Sequence, residues 1–194
     1  MHRTIINLLR TADSDAIALG GIGRPTLTFG DLISHVEATI AALNARGIGR
    51  NDRVAIVLPN GPEMASAFIS VGCGATTAPL NPAYREEEFD FYLSDLNAKA
   101  LLVAHDSTTP ARDAAQSRDI PVLDIAWTEN DPAGTFSILG DLSVAPALNG
   151  GFASPDDGAL VLHTSGTTSR PKIVPLTHQN ICASARNIAE TLRL

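Results

Sequence analysis

The residues best suited to chemistry lie together in the stretch HTSGTTSRPK, which runs from His163 to Lys172. It combines serine and threonine hydroxyls with one glycine, Gly166, and it ends with two cations, Arg170 and Lys172. Backbone N–H groups, hydroxyls and a lysine can together surround a polyphosphate. Surface linkers have a similar composition, because Gly, Ser and Thr favour turns. An anion-binding loop and a plain linker are therefore the two interpretations to separate.

This stretch lies between a predicted strand and a predicted helix. The segment GALVL, from Gly158 to Leu162, is apolar and partly β-branched, which indicates a buried strand. Thr177 is suited to cap the helix that follows. Helical spacing predicts that its buried face carries Ile181, Ala185, Ile188 and Leu192. Ligands of open α/β sheets bind outside the carboxyl ends of strands, which favours the anion-binding interpretation.

Upstream, apolar runs alternate with helical patterns. A T-x-x-D capping signal at Thr28 and Asp31 opens the first long helix. Its apolar face is predicted to contain Leu32, Val36, Ile40 and Leu43. Strands are predicted in the segments 52–60, 75–82, 99–104 and 121–125. This alternation predicts an α/β fold, with a mostly parallel sheet flanked by helices.

One segment interrupts the alternation. Residues 129–157 are rich in Pro, Gly, Asp and Ser, which is typical of a long loop or a boundary. We therefore predict an α/β subdomain over 1–128, a loop-rich connection over 129–157, and a strand, loop and helix over 158–194 that open the next subdomain. The last helical pattern runs almost to Leu194 without a cap, so we expect the chain to be truncated there.

Composition excludes several classes of partner. The formal net charge is −7, which disfavours nucleic acid or an anionic membrane as the main partner. No stretch approaches the ~18 apolar residues of a membrane span, so we expect no integral membrane contact. The cysteines, Cys73 and Cys182, form no C-x-x-C pair, which is typical of a reducing cytoplasm. No metal-ligand spacing is present.

The segment TSGTTSRPKIV, residues 164–174, resembles the phosphate-binding signature of the adenylate-forming superfamily, T-S-G-T-T-G-x-P-K-G-V. That family includes acyl-CoA synthetases, firefly-type luciferases and peptide-synthetase adenylation domains. Segments 26–32, 47–63 and 78–103 resemble further family elements in the same order. The form SGTTSRPK, with serine in place of the usual second glycine, is similar to the oxalate–CoA ligase-like branch. The resemblance implies the first part of the large N-terminal domain of such enzymes.

The resemblance also implies a set of site residues. The phosphates of ATP would be bound by Thr164, Ser165, Gly166, Thr167, Thr168, Ser169 and Lys172. Lys172 would be catalytic as well, as a mobile positive charge near the leaving pyrophosphate. The family implies Mg²⁺ on the phosphates, for which no ligand set is recognisable here, and coenzyme A as a co-substrate.

By this resemblance, the chain is expected to be the N-terminal fragment of a cytoplasmic, AMP-forming acid–CoA ligase. The substrate would be oxalate or another short acid, and fatty acid metabolism is the expected setting. Alternatives are an adenylation domain that serves a carrier protein and a non-catalytic nucleotide-binding or interaction remnant. The family's ribose-binding and hinge motifs would lie beyond Leu194. The 194 residues are therefore expected to be inactive alone and to need the C-terminal portion of the same enzyme.

Ile173 departs from the family, which has glycine directly after the lysine. Glycine serves where φ is positive or where backbones approach closely, and a β-branched side chain suits neither. Either the loop is strained and phosphate binding is weakened, or the local backbone tolerates isoleucine.

Other polar residues have plainer expected roles. His163 is expected to be a packed or hydrogen-bonded side chain rather than a base. Residues 86–88, three glutamates, would form the solvated first turn of a helix. Asn81 would belong to a turn, and Cys73 would be a small core residue.

Overall fold

The structure of the chain is a computed structural model that describes residues 3–140, 145–164 and 171–193. Its helices are α1 (Ile5–Leu9), α2 (Phe29–Ala45), α3 (Pro62–Gly74), α4 (Glu86–Leu96), α5 (Ala111–Gln116) and α6 (His178–Leu192). Its strands are β1 (Ile17–Leu19), β2 (Leu27–Thr28), β3 (Arg53–Val57), β4 (Thr76–Pro79), β5 (Ala100–Ala104), β6 (Val122–Ala126), β7 (Ser137–Ile138), β8 (Gly158–Thr164) and β9 (Lys172–Thr177).

Seven of the described strands form one sheet in the order β7-β6-β5-β3-β4-β8-β9. Neighbours from β6 to β8 are parallel. The edge strands β7 and β9 each pair antiparallel with the strand beside them. Strands β1 and β2 form a separate antiparallel pair. The predicted mostly parallel sheet flanked by helices is confirmed.

The centre of the sheet is buried on both faces, which explains the continuous apolar runs in its strands. All five residues of β5 are buried. On one face, Ile56 and Leu102 pack against side chains of α2 and α3. On the other face, Leu101 and Val103 pack against side chains of α4 and α5.

Helix α2 begins where the capping signal predicts. Thr28 is its N-cap, and the Thr28 hydroxyl accepts a hydrogen bond from the Asp31 N–H at 3.1 Å. The residues predicted for its apolar face, Leu32, Val36, Ile40 and Leu43, are all buried. Helix α3 approaches α2 so closely that a Cβ on Gly74 would lie 2.6 Å from Cγ1 of Ile40. Glycine at position 74 is therefore a condition of this helix packing.

The segment 129–157 contains the short edge strand β7 and is held to the core by a buried carboxylate. Glu63 Oε1 lies 2.5 Å from Arg24 Nη1 and accepts a second hydrogen bond from the N–H of Gly134 at 3.0 Å. Both charged side chains are largely buried. Since β8 pairs with β4 in the main sheet, the last predicted part of the chain shares that sheet, and the three-part division stays a prediction.

Candidate functional site

The candidate loop connects β8 to β9, two antiparallel strands at the edge of the sheet. Strand β9 is absent from the sequence-based prediction, which places a helix directly after the loop. Pro175 obscures the strand pattern, because proline lacks the N–H that an inner strand needs. Because β9 is an edge strand, the backbone groups on its outer side need no partner strand, and proline is tolerated there. The register then pairs Pro175 with Val161 and Thr164 with Lys172.

Strand β9 also separates the loop from α6. Thr177, at the end of β9, pairs with Gly158 at the start of β8, so β9 returns the chain to the amino edge of the sheet. Helix α6 begins there, at His178. The N-terminus of this helix therefore lies at the opposite end of the hairpin from the loop and provides no dipole for an anion bound there.

Two of the predicted site residues are described, and they face each other. Thr164 ends β8, Lys172 begins β9, and both are exposed. The Thr164 hydroxyl donates a hydrogen bond to the carbonyl oxygen of Lys172 at 3.5 Å. Directly paired residues project from the same face of a sheet, so the Thr164 and Lys172 side chains leave the hairpin on the same face. This pair can bind an anionic oxygen.

The remaining predicted phosphate-binding residues lie outside the described residues. They are Ser165, Gly166, Thr167, Thr168 and Ser169. Arg170 lies outside them as well. Their roles stay predictions.

The pair Thr164 and Lys172 lies at the carboxyl ends of parallel strands. Thr77 of β4 and Leu160 of β8 are parallel partners, so β3, β4 and β8 end on the same edge of the sheet. Ligand sites of open α/β sheets form at this edge. The predicted position of the loop at the end of a buried strand is confirmed.

Ile173 is an ordinary strand residue in this structure. It pairs with His163 within the ladder of β8 and β9, and its φ is not positive. Its side chain is partly buried against the core formed with α4 and α5. A β-branched residue suits such a position, so the expected strain at Ile173 is wrong and the alternative of a tolerant backbone holds.

His163 is hydrogen-bonded, as predicted. Its Nε2 lies 3.1 Å from Oδ2 of Asp95, and its ring meets the ring of Tyr92 edge to face, with centroids 4.6 Å apart. Only 8% of its side chain is exposed. The strand pattern indicates that this residue packs, but nothing in the sequence identifies Asp95 as its partner.

Helix α6 begins at the predicted cap but packs through different residues. The Thr177 hydroxyl accepts a hydrogen bond from the Asn180 N–H, and the Asn180 side chain accepts one from the Thr177 N–H. The predicted buried face is wrong, because Ile188 and Leu192 are 52% and 63% exposed. The buried side chains are those of His178 and Cys182.

His178 anchors α6 to the start of the chain. Its Nδ1 accepts a hydrogen bond from the N–H of Ile5 at 3.2 Å, and its side chain is completely buried. Burial lowers the pKa of His178, and the nearby charge of Asp157 partly opposes this shift. Neutral imidazole is the form that can accept at Nδ1. Nothing in its sequence context distinguished this histidine from a solvated one.

The plainer expectations are confirmed. Residues 86–88 form the first turn of α4. The Asn81 side chain accepts a hydrogen bond from the N–H of Ala83 at 3.0 Å, as in a turn. Cys73 is buried, and this burial raises the pKa of its thiol to about 12.

The part of the chain that the structure describes offers neither a metal-binding group nor a membrane span. It contains no group of three or more His, Cys, Asp or Glu placed to hold a metal ion. The helices described there are too short or too polar to cross a membrane.

The chain is similar in sequence to AMP-binding enzymes and to CoA ligases. The family model of AMP-binding enzymes matches residues 9–194. An oxalate–CoA ligase of Arabidopsis thaliana is 40% identical over 182 residues, which cover 93% of this chain and 35% of the relative. An oxalate–CoA ligase of Saccharomyces cerevisiae is 37% identical over 196 residues, which cover 87% of this chain and 36% of the relative. The chain spans about a third of the length of these curated relatives.

A solved structure shares the fold. Apo MatB from Rhodopseudomonas palustris superposes with a TM-score of 0.75 at 20% identity. The match covers 100% of this chain and 38% of that one.

Proposed function

Because this chain belongs to the AMP-binding enzyme family, we propose that it is the N-terminal part of an ATP-dependent acid–CoA ligase. In the proposed reaction a carboxylate oxygen attacks the α-phosphate of ATP, forming an acyl-adenylate and releasing pyrophosphate. The thiol of coenzyme A then attacks the acyl carbon and displaces AMP. The resemblance of residues 164–174 to the phosphate-binding signature predicts the same kind of enzyme.

The proposed carboxylic acid is oxalate or another short acid. Support comes from the two relatives named oxalate–CoA ligase, at 40% and 37% identity, and from the serine form of the loop signature. Longer fatty acids are the alternative substrates. A cytoplasmic location is part of the proposal, and the unpaired buried cysteines support it.

One observation carries the proposed chemistry, namely the pairing of Thr164 with Lys172 at the mouth of the loop. The leaving pyrophosphate gains negative charge in the first step. A positioned ammonium group and a hydroxyl beside that charge lower the barrier, because they are already oriented when the charge develops. We assign Lys172 to this role and Thr164 to phosphate binding. Residues 165–169 are proposed to add backbone and hydroxyl donors.

Mg²⁺ bound to the phosphates would neutralise part of their charge. The described residues offer no cluster that would hold this ion by itself. Its ligands in the proposed enzyme would therefore come largely from the phosphates.

The test is carboxylate-dependent exchange of labelled pyrophosphate into ATP. Two proteins are compared, the longest natural reading frame that contains this chain and the 194-residue chain alone. We expect the longer protein to catalyse exchange with oxalate and the isolated chain to remain at the blank level. Absence of exchange by the longer protein, with oxalate and with a panel of longer acids, would refute the proposal. Addition of coenzyme A or of a phosphopantetheine-bearing carrier protein identifies the acceptor.

A further inference from the structure

We propose that His163 and Asp95 form a positioning pair that fixes the end of β8 and so orients Thr164 and Lys172. This inference rests on the proposed function, because it assigns the pair a part in the adenylation step. Neither side chain is proposed to contact ATP or the acid. The pair acts through the strand that carries the contacting residues.

The hydrogen bond between the two side chains has a defined direction. Nε2 of His163 lies 3.1 Å from Oδ2 of Asp95. An ionised carboxylate only accepts hydrogen bonds, so the imidazole donates from Nε2. Asp95 lies in α4, one turn after Tyr92, and residues three apart are neighbours on a helix surface. The imidazole ring is therefore held by two successive turns of one helix.

The support behind the ring is itself fixed. The Tyr92 ring stacks on the Tyr84 ring, with centroids 4.9 Å apart and an angle of 14° between the planes. A hydrogen bond between the two phenols, together with burial, raises the pKa of Tyr92 to about 12. Tyr84 in turn meets Phe89, which is completely buried. A rigid aromatic cluster thus connects His163 to the core.

The end of β8 needs such support because its inner neighbour ends early. Thr77 pairs with Leu160, and β4 ends at Pro79. In parallel register, this places His163 and Thr164 beyond the last residue of β4. Among the described strands, the backbone of β8 pairs from that point with β9 alone. The hydrogen bond to Asp95 provides the second attachment.

The hydrogen bond from His163 to Asp95 lies on the face of the hairpin opposite to the face that carries Thr164 and Lys172. His163 and Ile173 are directly paired, and so are Thr164 and Lys172. Successive residues of a strand project to opposite faces. Therefore the His163 side chain points toward α4, while Thr164 and Lys172 point the other way. A shift of His163 would tilt both of them together.

The same contacts predict a small effect on stability. Asp95 is 38% exposed, and an ion pair or hydrogen bond that water reaches contributes little to folding. Loss of the pair is therefore expected to alter the orientation of the strand end more than the folded state. This difference separates a positioning role from a purely structural one.

The experiment uses the full natural enzyme and measures pyrophosphate exchange with its best acid. We expect His163→Ala and Asp95→Ala each to lower kcat by on the order of 10- to 100-fold, the range that follows from misplaced reacting groups. The KM for ATP is expected to rise less than kcat falls, because Lys172 acts on charge that develops in the transition state, whereas Thr164 also contacts the phosphates of bound ATP. The double variant should be no slower than either single variant, since both remove one interaction.

Two further variants complete the design. His163→Gln retains a donor near the position of Nε2 and is expected to recover most of kcat. Asp90→Asn is the matched control. It also removes a carboxylate from α4, but the Asp90 carboxylate pairs with Arg118 and not with a residue of the hairpin. This control should behave as the wild type. Thermal unfolding midpoints of Asp95→Ala, His163→Gln and Asp90→Asn should stay within about 4 °C of the wild type. The midpoint of His163→Ala should fall further, because that variant also loses a largely buried ring.

The outcomes distinguish a failure of the proposed reaction from a failure of the positioning role. A wild-type enzyme without exchange for any acid overturns the proposed function and the positioning role together. An active wild type with unchanged His163→Ala and Asp95→Ala variants overturns the positioning role alone. Additive losses, no rescue by His163→Gln, or a fall in the unfolding midpoint of Asp95→Ala that parallels its loss of kcat would also overturn it, since each indicates loss of packing.

Discussion

The centre of the sheet and the β8–β9 hairpin are held in place by different interactions. In the centre, Ile56 and Leu102 are completely buried between two layers of helices. In the hairpin, Leu162 is 40% exposed, and attachment depends on directional contacts such as the bond from His163 to Asp95. Apolar burial therefore fixes the scaffold, while a few polar contacts fix the strands that carry the candidate site. Substitutions in the two regions should separate stability from chemistry.

The largest expected effect is on the free energy of unfolding, when a leucine side chain is truncated to alanine in each of the two regions. Leu102→Ala removes a completely buried side chain from β5 and should lower the free energy of unfolding by about 2–5 kcal/mol. Leu162→Ala in β8 should lower it by only about 1 kcal/mol, because water already reaches that side chain. Urea unfolding followed by circular dichroism measures both. Equal losses of unfolding free energy in the two variants would show that apolar burial stabilises the hairpin as much as the centre of the sheet.

A second test compares the chain's two lysines, Lys99 and Lys172. In the proposed full-length ligase, Lys172→Ala should raise the barrier for adenylation by about 2.7–4 kcal/mol, because the charge proposed to lie beside the pyrophosphate would be lost. Lys99 lies just before β5, at the amino edge of the sheet, and Lys99→Ala should leave the rate unchanged. Single-turnover formation of the acyl-adenylate is the measurement. Wild-type kinetics in Lys172→Ala would show that this lysine is merely solvated.

A third test concerns Ile173, where the family signature has glycine. The side chain packs against the core and its φ is not positive, so glycine relieves no strain there. Ile173→Gly should lower the free energy of unfolding by about 1–2 kcal/mol, through lost burial and a more flexible strand. Ile173→Val is the matched control and should cost less than half as much. Tighter ATP binding by the glycine variant, measured by calorimetry, would contradict this account.

The smallest expected effect is a pH dependence from His178. Burial holds its pKa below the ordinary value, which is near 6.5. Its contribution to stability is therefore fully present above about pH 6.5 and is lost as the pH falls through the lower pKa of the folded state. His35 shares this direction for the same reason. Asp157 also has a lowered pKa, because hydrogen bonds to its carboxylate outweigh burial, but it titrates at lower pH.

The variant His178→Asn isolates that contribution. Asparagine retains an acceptor oxygen for the N–H of Ile5 and does not titrate. Between pH 7.5 and 5.5, the wild type should lose more unfolding free energy than the variant. Equal losses in urea unfolding at the two pH values would mean that His178 does not titrate in this range.

Sequence patterns predict the scaffold because buried positions must be apolar. A strand buried on both faces is therefore a continuous apolar run, and a helix buried on one face has apolar residues at helical spacing. The apolar runs of β3 and β5 and the face of α2 with Leu32 and Val36 follow directly from contact with the core. Strands at the edge of a sheet are less buried and less consistently apolar, so the sequence patterns do not predict β9, which contains Pro175 and is only partly buried. The face of α6 was assigned by periodicity alone, and Ile188 is exposed instead.

The candidate site could be predicted only where a local signature exists. Thr164 and Lys172 were identified from the loop motif. The support for His163 comes from Asp95, which is 68 positions away in sequence, and no local pattern encodes such a contact. The same holds for the hydrogen bond between His178 and Ile5, because the two residues meet only in the folded chain.

The parallel pairing of β4 with β8 determines an order of assembly. Thr76 and Gly158 are joined by a hydrogen bond across 82 positions of sequence. A ribosome therefore releases β3 to β6 well before β8 exists, and these strands can pair while the edge of β4 is still open. Closing so long a loop is slow relative to local pairing. The nascent chain should thus acquire its scaffold first and its candidate site last, and pulse-labelled hydrogen exchange would show β5 amides protected before those of β8.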